Sequence, residues 1–221
     1  MIPIRKYLNN FLDYIFPQFC LGCNLEGVIF CDCCLNKLEL LPNNPKPWLE
    51  ESFLFAECHI CLDYHNPIVK KLIKKYKYGY FDNLAEPIAT VYVKKITSLN
   101  LNNNFIICNV PLHIRKKKKR GFDQTELIAK KISVSTQIPY FDLLSRQRFT
   151  KAQAELDKEQ RQKNMAQAFA INKKINSREL ISHPVLLIDD IATTGTTLNE
   201  ASRALKKAGF QQIICLALAK N

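Results

Sequence analysis

The 221-residue sequence has no apolar run of about 18 residues, which excludes a predicted transmembrane helix. Its six glycines form neither a G-x-G-x-x-G nor a G-K-[ST] pattern, so the dinucleotide fingerprint and the P-loop are excluded as phosphate motifs. No convincing secretory signal is present either, because Asn9, Asn10 and Asp13 interrupt the apolar residues near the N-terminus. We therefore expect a cytoplasmic protein.

Acidic residues are scarce relative to basic ones: 20 Asp and Glu stand against 32 Lys and Arg, a formal net charge of +12. Such a charge attracts polyanions, whether nucleic acid, a phosphorylated substrate or an anionic surface, although an ordinary basic soluble protein is the alternative. A hydrophobic content of 47% excludes wholesale disorder. The length predicts one ordinary domain with a small appendage.

The nine cysteines are too few and too unevenly placed for a disulfide scaffold, and their number is odd. Two C-x-x-C pairs, Cys20 with Cys23 and Cys31 with Cys34, supply four thiolates for a closed tetrahedral zinc site. Cys33 is an alternative ligand in place of Cys31 or Cys34. The segment is too short for a core of its own, which favours structural zinc over the rival redox or disulfide pair.

The sequences on either side of these four cysteines indicate that the chain has two parts. Residues 4–16 place apolar side chains on one helical face and end at Pro17, which predicts a docking helix. Residues 43–47, with the sequence NNPKP, have a linker composition. We expect an N-terminal helix and zinc knuckle over 1–47 and the main domain over 48–221. The remaining cysteines are predicted to pack in the core: Cys58, Cys61, Cys108 and Cys215.

The most informative stretch runs from Val185 to Thr197 and reads VLLIDDIATTGTT. Its apolar start predicts a parallel strand buried on both faces, and a helical pattern follows it. Between them lie Asp189, Asp190 and a turn of small hydroxyl residues around Gly195. Backbone N–H groups at a helix start bind anions, whereas two carboxylates suit a sugar diol or Mg²⁺. A predicted phosphate site beside a predicted diol site indicates that the ligand contains a ribose 5-phosphate.

A second predicted strand, over 105–110, is followed by six consecutive cations over 115–120. We expect these cations to flank a loop at the same sheet edge as Asp189. They would bind a pyrophosphate or nucleic acid phosphates, or would be merely solvated. A third strand is predicted over 53–62. An amphipathic helix is predicted over 66–80 and ends in Lys77, Tyr78 and Gly79. Lys77 could reach a phosphate or lie on a solvated face.

The stretch VLLIDDIATTGTT resembles the phosphoribosyl-pyrophosphate signature of the type I phosphoribosyltransferases. The resemblance implies an α/β fold with an open, mostly parallel, Rossmann-like sheet. It implies that Asp189 and Asp190 hold the ribose hydroxyls. The residues that would hold the 5-phosphate are Thr193, Thr194, Gly195, Thr196 and Thr197. Purine-salvage members carry an acid at the first loop position, and Thr193 there argues against a simple purine-salvage enzyme.

A closer resemblance, covering nearly the whole chain, is to the ComF family. It is carried by VPLH at 110–113, by RGFDQ at 120–124 and by the R-x-R-x-T-x-x-Q pattern from Arg146. Asp123 stands where relatives usually have Asn, which adds a negative charge beside the pyrophosphate. Residues 146–169 lie where related enzymes carry a mobile loop, which makes Gln153 a further candidate contact. The candidate pyrophosphate residues are Lys77, Arg120, Gly121, Gln124, Arg148 and Arg161.

The resemblance implies a protein that binds phosphoribosyl pyrophosphate with Mg²⁺ and carries structural Zn²⁺. If it is an enzyme, it is a phosphoribosyltransferase that displaces pyrophosphate from C1, with an acceptor that the sequence does not name. ComF relatives are associated with natural competence, the uptake of single-stranded DNA. The alternatives are a DNA-binding module with a relic phosphoribosyl site and a module that docks a competence-machinery protein such as a helicase-like translocase.

Overall fold

The computed structural model describes residues 17–44, 53–79, 81–101, 104–147 and 167–221. In these ranges the strands are β1 (Glu57–Asp63), β2 (Ile106–Asn109), β3 (Leu144–Arg146), β4 (Phe169–Ile171), β5 (Val185–Ala192) and β6 (Ile213–Lys220). The α-helices are α1 (Asp32–Asn36), α2 (Pro67–Tyr78), α3 (Ala85–Ser98), α4 (Ile114–Arg120), α5 (Gln124–Thr136) and α6 (Thr196–Lys207).

Four strands form a parallel sheet in the order β1–β6–β5–β2, and β3 pairs with β4 in a separate antiparallel ribbon. The sheet is buried on both faces, because alternate residues of β5 enter different cores. Leu186 and Ile188 pack with α2, α3 and α5, whereas Val185 and Leu187 pack with α6 and the ribbon. This confirms the predicted open, mostly parallel α/β fold.

The predicted elements match the observed ones with shifts at their ends. Strand β5 continues through both aspartates to Ala192, whereas β1 begins at Glu57 rather than at residue 53. Helix α2 starts as predicted, since the Asn66 side chain accepts hydrogen bonds from two backbone N–H groups and Pro67 occupies the first turn. The four remaining cysteines are fully buried, as predicted.

The basic run after β2 differs from the expectation, because it forms helix α4 rather than the flank of a loop. The His113 side chain caps its start by accepting from the Arg115 N–H, and Gly121 ends it in the left-handed conformation at φ 79°. Lysine and arginine are good helix formers, and Lys117 relieves some of the charge through an ion pair with Glu126 at 2.6 Å. Lys116 is half-buried rather than solvated.

The cysteine-rich segment shares its core with the main sheet. Cys20, Phe30 and Leu35 belong to the same buried cluster as α2 and α3. The fully buried Lys95 donates from Nζ to the carbonyls of Leu41 (2.8 Å) and Pro42 (3.2 Å), which fastens the chain leaving this segment. The predicted helix over 4–16 and the domain boundary after residue 47 lie outside the described residues. Within the described ranges, no helix is long and apolar enough to cross a membrane.

Candidate functional site

A cavity of about 580 Å³ opens at the carboxyl ends of β2 and β5. Parallel α/β sheets bind ligands at this edge, because the strands end there and the following helices begin there. Its charged lining comprises Lys70, Lys74, Lys77, Lys116, Arg120, Arg146, Asp189 and Asp190. The two acids thus lie in a predominantly basic cavity, which suits a ligand that has several anionic groups and also hydroxyl groups.

The two aspartates are held by the backbone of β5 itself. The Oδ1 atom of Asp189 accepts from the Asp190 N–H at 2.9 Å, and that of Asp190 accepts from the Ile191 N–H at 2.6 Å. The Tyr92 hydroxyl donates to the carbonyl of Asp189. Burial, and after it the neighbouring charge of Asp190, raises the pKa of the Asp189 carboxyl to about 8. One of two adjacent acids is therefore protonated near neutral pH.

Lys77 reaches this acid pair from the last turn of α2. Its Nζ lies 2.9 Å from Oδ2 of Asp190, and both side chains are largely buried, at 18% and 16% exposure. The preceding residue is anchored, because the Tyr76 hydroxyl donates to the carbonyl of Gln124 at 2.8 Å. The structure thus places Lys77 in the cavity rather than on a solvated face.

Helix α4 and the start of α5 form the basic wall. Lys116 and Arg120 line the cavity, and Arg120 donates from Nη1 to Oε1 of Gln124 at 3.0 Å. Arg120 also lies over the ring of Tyr78, 5.4 Å from its centroid. Gly121 lies beside this wall at positive φ, which a residue with a Cβ would rarely adopt.

The turn after β5 leads into α6 through Gly195, whose φ of 77° is left-handed. Thr193 and Thr197 line the cavity, whereas the hydroxyls of Thr194 and Thr196 hydrogen-bond each other at 2.7 Å. The first backbone N–H groups of α6 have no partner within the helix and lie at its positive dipole end. This arrangement is suited to holding a phosphate.

The Asp123 carboxylate is buried and engaged by backbone groups of the protein. It caps α5 by accepting from the N–H groups of Thr125 and Glu126, and it accepts from the Leu112 N–H at 2.7 Å. Burial raises the pKa of this carboxyl, although the hydrogen bonds oppose the shift. Asp123 therefore fixes the turn after β2 and is not one of the residues that line the cavity.

Arg146, at the end of β3, was not among the site residues predicted from the sequence, yet it lines the cavity. Its guanidinium lies over the Phe169 ring of the paired strand, 5.3 Å from the centroid, and desolvation lowers its pKa. The R-x-R pattern that begins at Arg146 is the signal that could have identified it. The predicted contacts Arg148, Gln153 and Arg161 lie outside the described residues.

Two sets of side chains could hold metal ions, one through cysteine thiolates and the other through carboxylates. The Sγ atoms of Cys20, Cys23, Cys31 and Cys34 all lie within 4.8 Å of one another, so this set could hold a metal ion with four thiolates. Cys33 is exposed and outside the set, which resolves the ambiguity in the second pair. The carboxylates of Asp189 and Asp190 are the oxygen ligands that Mg²⁺ prefers.

The chain is similar in sequence to one protein family and to several known proteins. The model of the family described as "Phosphoribosyl transferase domain" matches residues 82–221. The chain is 27% identical over 210 residues to "Competence protein F" of Haemophilus influenzae, covering 91% of this chain and 90% of that protein. It is 26% identical over 195 residues to "DNA utilization protein YhgH" of Shigella flexneri, with coverages of 84% and 76%. For "Competence protein ComFC" of Bacillus subtilis the identity is 23% over 145 residues, with coverages of 66% and 56%.

Proposed function

The chain belongs to the phosphoribosyl transferase domain family, as a member of the ComF type, and we propose from that premise that its cavity binds phosphoribosyl pyrophosphate together with Mg²⁺. The observation that carries the proposal is that one cavity combines the acid pair, the turn before α6 and the cations of α2 and α4. The cavity therefore contains groups that are complementary to a diol, to a monophosphate and to a pyrophosphate.

Each part of the ligand has its own partners in the proposed complex. Asp189 and Asp190 hydrogen-bond the ribose hydroxyls, because an ionised carboxylate accepts such bonds and a protonated carboxyl both accepts and donates them. Residues 193–197 hold the 5-phosphate through backbone N–H groups and hydroxyls. Lys77, Lys116 and Arg120 bind the pyrophosphate with charge-assisted hydrogen bonds. Mg²⁺, when bound, neutralises part of the charge of the pyrophosphate.

The reaction class that this arrangement supports is displacement of pyrophosphate from C1 by an acceptor nucleophile. As the bond from C1 to the pyrophosphate oxygen breaks, negative charge grows on the leaving group and positive charge on the ribose ring. The basic wall stabilises the first, and the carboxylate of Asp190 stabilises the second. The cysteine set is proposed to bind structural Zn²⁺, since it leaves no ligand position open for catalysis.

Calorimetric titration with phosphoribosyl pyrophosphate and Mg²⁺ tests the proposal. We expect binding by the unmodified protein and none by the double variant Asp189→Asn/Asp190→Asn. The matched control, Asp63→Asn/Asp82→Asn, changes two exposed acids outside this cavity and should bind normally. The proposal is wrong if the folded, zinc-loaded protein shows no binding.

A second candidate function is DNA handling in natural competence. The exposed side chains of Arg115 and Lys118 on α4 favour it, together with the names of the similar proteins, which refer to competence and DNA utilization. Phosphate contacts by these residues would make affinity for single-stranded DNA fall steeply with salt. We expect Arg115→Ala/Lys118→Ala to reduce that salt slope, whereas Lys207→Ala on α6 should leave it unchanged. Equal slopes for all three proteins would contradict this function.

A further inference from the structure

One member of the acid pair in the cavity, Asp190, is already paired with the side chain of Lys77. Of the carboxylate oxygens of Asp190, Oδ1 accepts from the Ile191 N–H at 2.6 Å, and Oδ2 is paired with Nζ of Lys77 at 2.9 Å. In Asp189, Oδ1 accepts from the Asp190 N–H at 2.9 Å. An incoming divalent cation would therefore meet an acid pair in which three of the four carboxylate oxygens are already engaged, with an ammonium group beside them.

The charge of the surrounding side chains also opposes the binding of a free cation. The lining contains six cationic side chains and two carboxylates, so the described part of the cavity is positive overall before any ligand binds. Lys116 and Arg146 contribute to this excess, and both are substantially removed from solvent. Screening is weaker for such groups than for exposed ones, so a free cation is repelled.

Lys77 is also placed so that it can change partners without a rearrangement of its helix. The backbone before it is anchored by the hydrogen bond from the Tyr76 hydroxyl to the Gln124 carbonyl. Gly79 closes the last turn of α2 by donating to the Lys75 carbonyl at 2.7 Å. The four-carbon stem of a lysine has several rotatable bonds, so Nζ can turn from a carboxylate to a neighbouring phosphate while the main chain stays in place.

We propose that Lys77 is the built-in counter-cation of Asp190, which keeps free divalent cations out of the empty site, so that Mg²⁺ enters only as its complex with the pyrophosphate of the ligand. This inference rests on the proposed function for the identity of that ligand. The pyrophosphate supplies the negative charge that the empty cavity lacks, and Lys77 then shares its charge between Asp190 and the ligand.

The test uses Mn²⁺ alone as an oxygen-seeking probe, with free Mn²⁺ measured by electron paramagnetic resonance. We expect one bound Mn²⁺ in Lys77→Met, with an affinity at least about tenfold higher than that of the unmodified protein, because the competing charge is gone. Lys77→Arg keeps the charge and should behave like the unmodified protein. Adding Asp189→Asn/Asp190→Asn to Lys77→Met should abolish the gain, which assigns it to the acid pair rather than to the cysteines.

A second readout separates this role from a purely structural one. Lys77→Met should bind Mg²⁺ with phosphoribosyl pyrophosphate more weakly than the unmodified protein, although it binds Mn²⁺ alone more tightly. Tight Mn²⁺ binding by the unmodified protein, or no gain in a folded Lys77→Met, would overturn the inference. Absence of phosphoribosyl pyrophosphate binding with the expected Mn²⁺ pattern would instead reject the proposed function and leave the counter-cation role standing.

Discussion

The hydroxyl of Tyr76 donates to the main-chain carbonyl of Gln124 at 2.8 Å, and both residues are buried. This hydrogen bond joins the end of α2 to the start of α5, which are two walls of the cavity. Because Tyr76 directly precedes Lys77, this hydrogen bond also positions the Lys77 side chain at the site. Tyr76 and Gln124 are 48 residues apart in the sequence, so only the folded structure brings these groups together.

Tyr76→Phe should therefore lower the free energy of unfolding by about 1 kcal/mol, the net value of one hydrogen bond. Chemical denaturation measures this change. Tyr78→Phe is the matched control, because Tyr78 is 69% exposed, and it should leave stability unchanged. We also expect Tyr76→Phe to weaken the binding of phosphoribosyl pyrophosphate. Equal stability of the two variants would show that the bond contributes nothing.

Zinc content should depend on Cys34 and not on its neighbour Cys33. The thiol of Cys34 belongs to the four-cysteine set, whereas that of Cys33 is exposed outside it. We expect Cys33→Ser to retain one zinc ion per chain and Cys34→Ser to lose it, as measured by elemental analysis of the purified proteins. Because Cys34 packs in the core shared with the main sheet, its variant should also unfold at a lower temperature. Zinc retained by both variants would reject the assignment.

Substitution of Gly22 should disturb the same site by a steric route. A Cβ at this position would lie 2.6 Å from Sγ of Cys34 and 3.7 Å from Cδ1 of Ile68 at the start of α2. Gly22→Ala must therefore displace a thiol of the cluster. We expect weaker zinc retention during titration with a chelator, whereas Cys33→Ser should match the unmodified protein. Unchanged retention in Gly22→Ala would mean that the thiol can shift without cost.

The pH dependence of stability should change when Asp189 is replaced. Its pKa is raised to about 8, first by burial and then by Asp190, so the folded state keeps a proton that the unfolded chain releases above pH of about 4. The free energy of unfolding consequently falls as pH rises from about 4 to about 8. Asp189→Asn cannot ionise and should lack this contribution.

We expect Asp189→Asn to gain stability relative to the unmodified protein across that range, by at least the ~1.4 kcal/mol that corresponds to one pKa unit. Urea denaturation at about pH 5, 6, 7 and 8 measures this difference in the free energy of unfolding. Other acids with raised pKa values, such as Asp123, are present in both proteins and cancel in the comparison. Parallel stability curves would contradict the raised pKa of Asp189.

Asp123→Asn should release the backbone N–H of Leu112. An asparagine keeps a carbonyl oxygen to cap α5 but replaces the oxygen that accepts from Leu112 at 2.7 Å with an amide group. The Leu112 N–H then faces the amide group and lacks its acceptor. We expect a loss of stability of about 1 kcal/mol, measured by chemical denaturation. Unchanged stability would show that this hydrogen bond contributes nothing.

The sequence by itself determined the features that depend on neighbouring residues. The uninterrupted apolar run from Val185 predicted a strand buried on both faces, and Asn66 followed by Pro67 predicted the start of α2. The spacing of the C-x-x-C pairs identified a cluster of thiols. Periodicity, capping and ligand spacing act over a few residues, and a linear pattern records them directly.

Only the tertiary structure decided which distant side chains meet, because these contacts depend on how helices pack on the sheet. The pairing of Lys77 with Asp190 and the entry of Arg146 into the cavity wall join elements far apart in the chain. The hydrogen bond from the Leu112 N–H to Asp123 joins the turn after β2 to the start of α5. The helical form of the basic run was decided in the same way, since Glu126 on α5 neutralises part of its charge. A local pattern shows that a charge exists, whereas packing determines its partner.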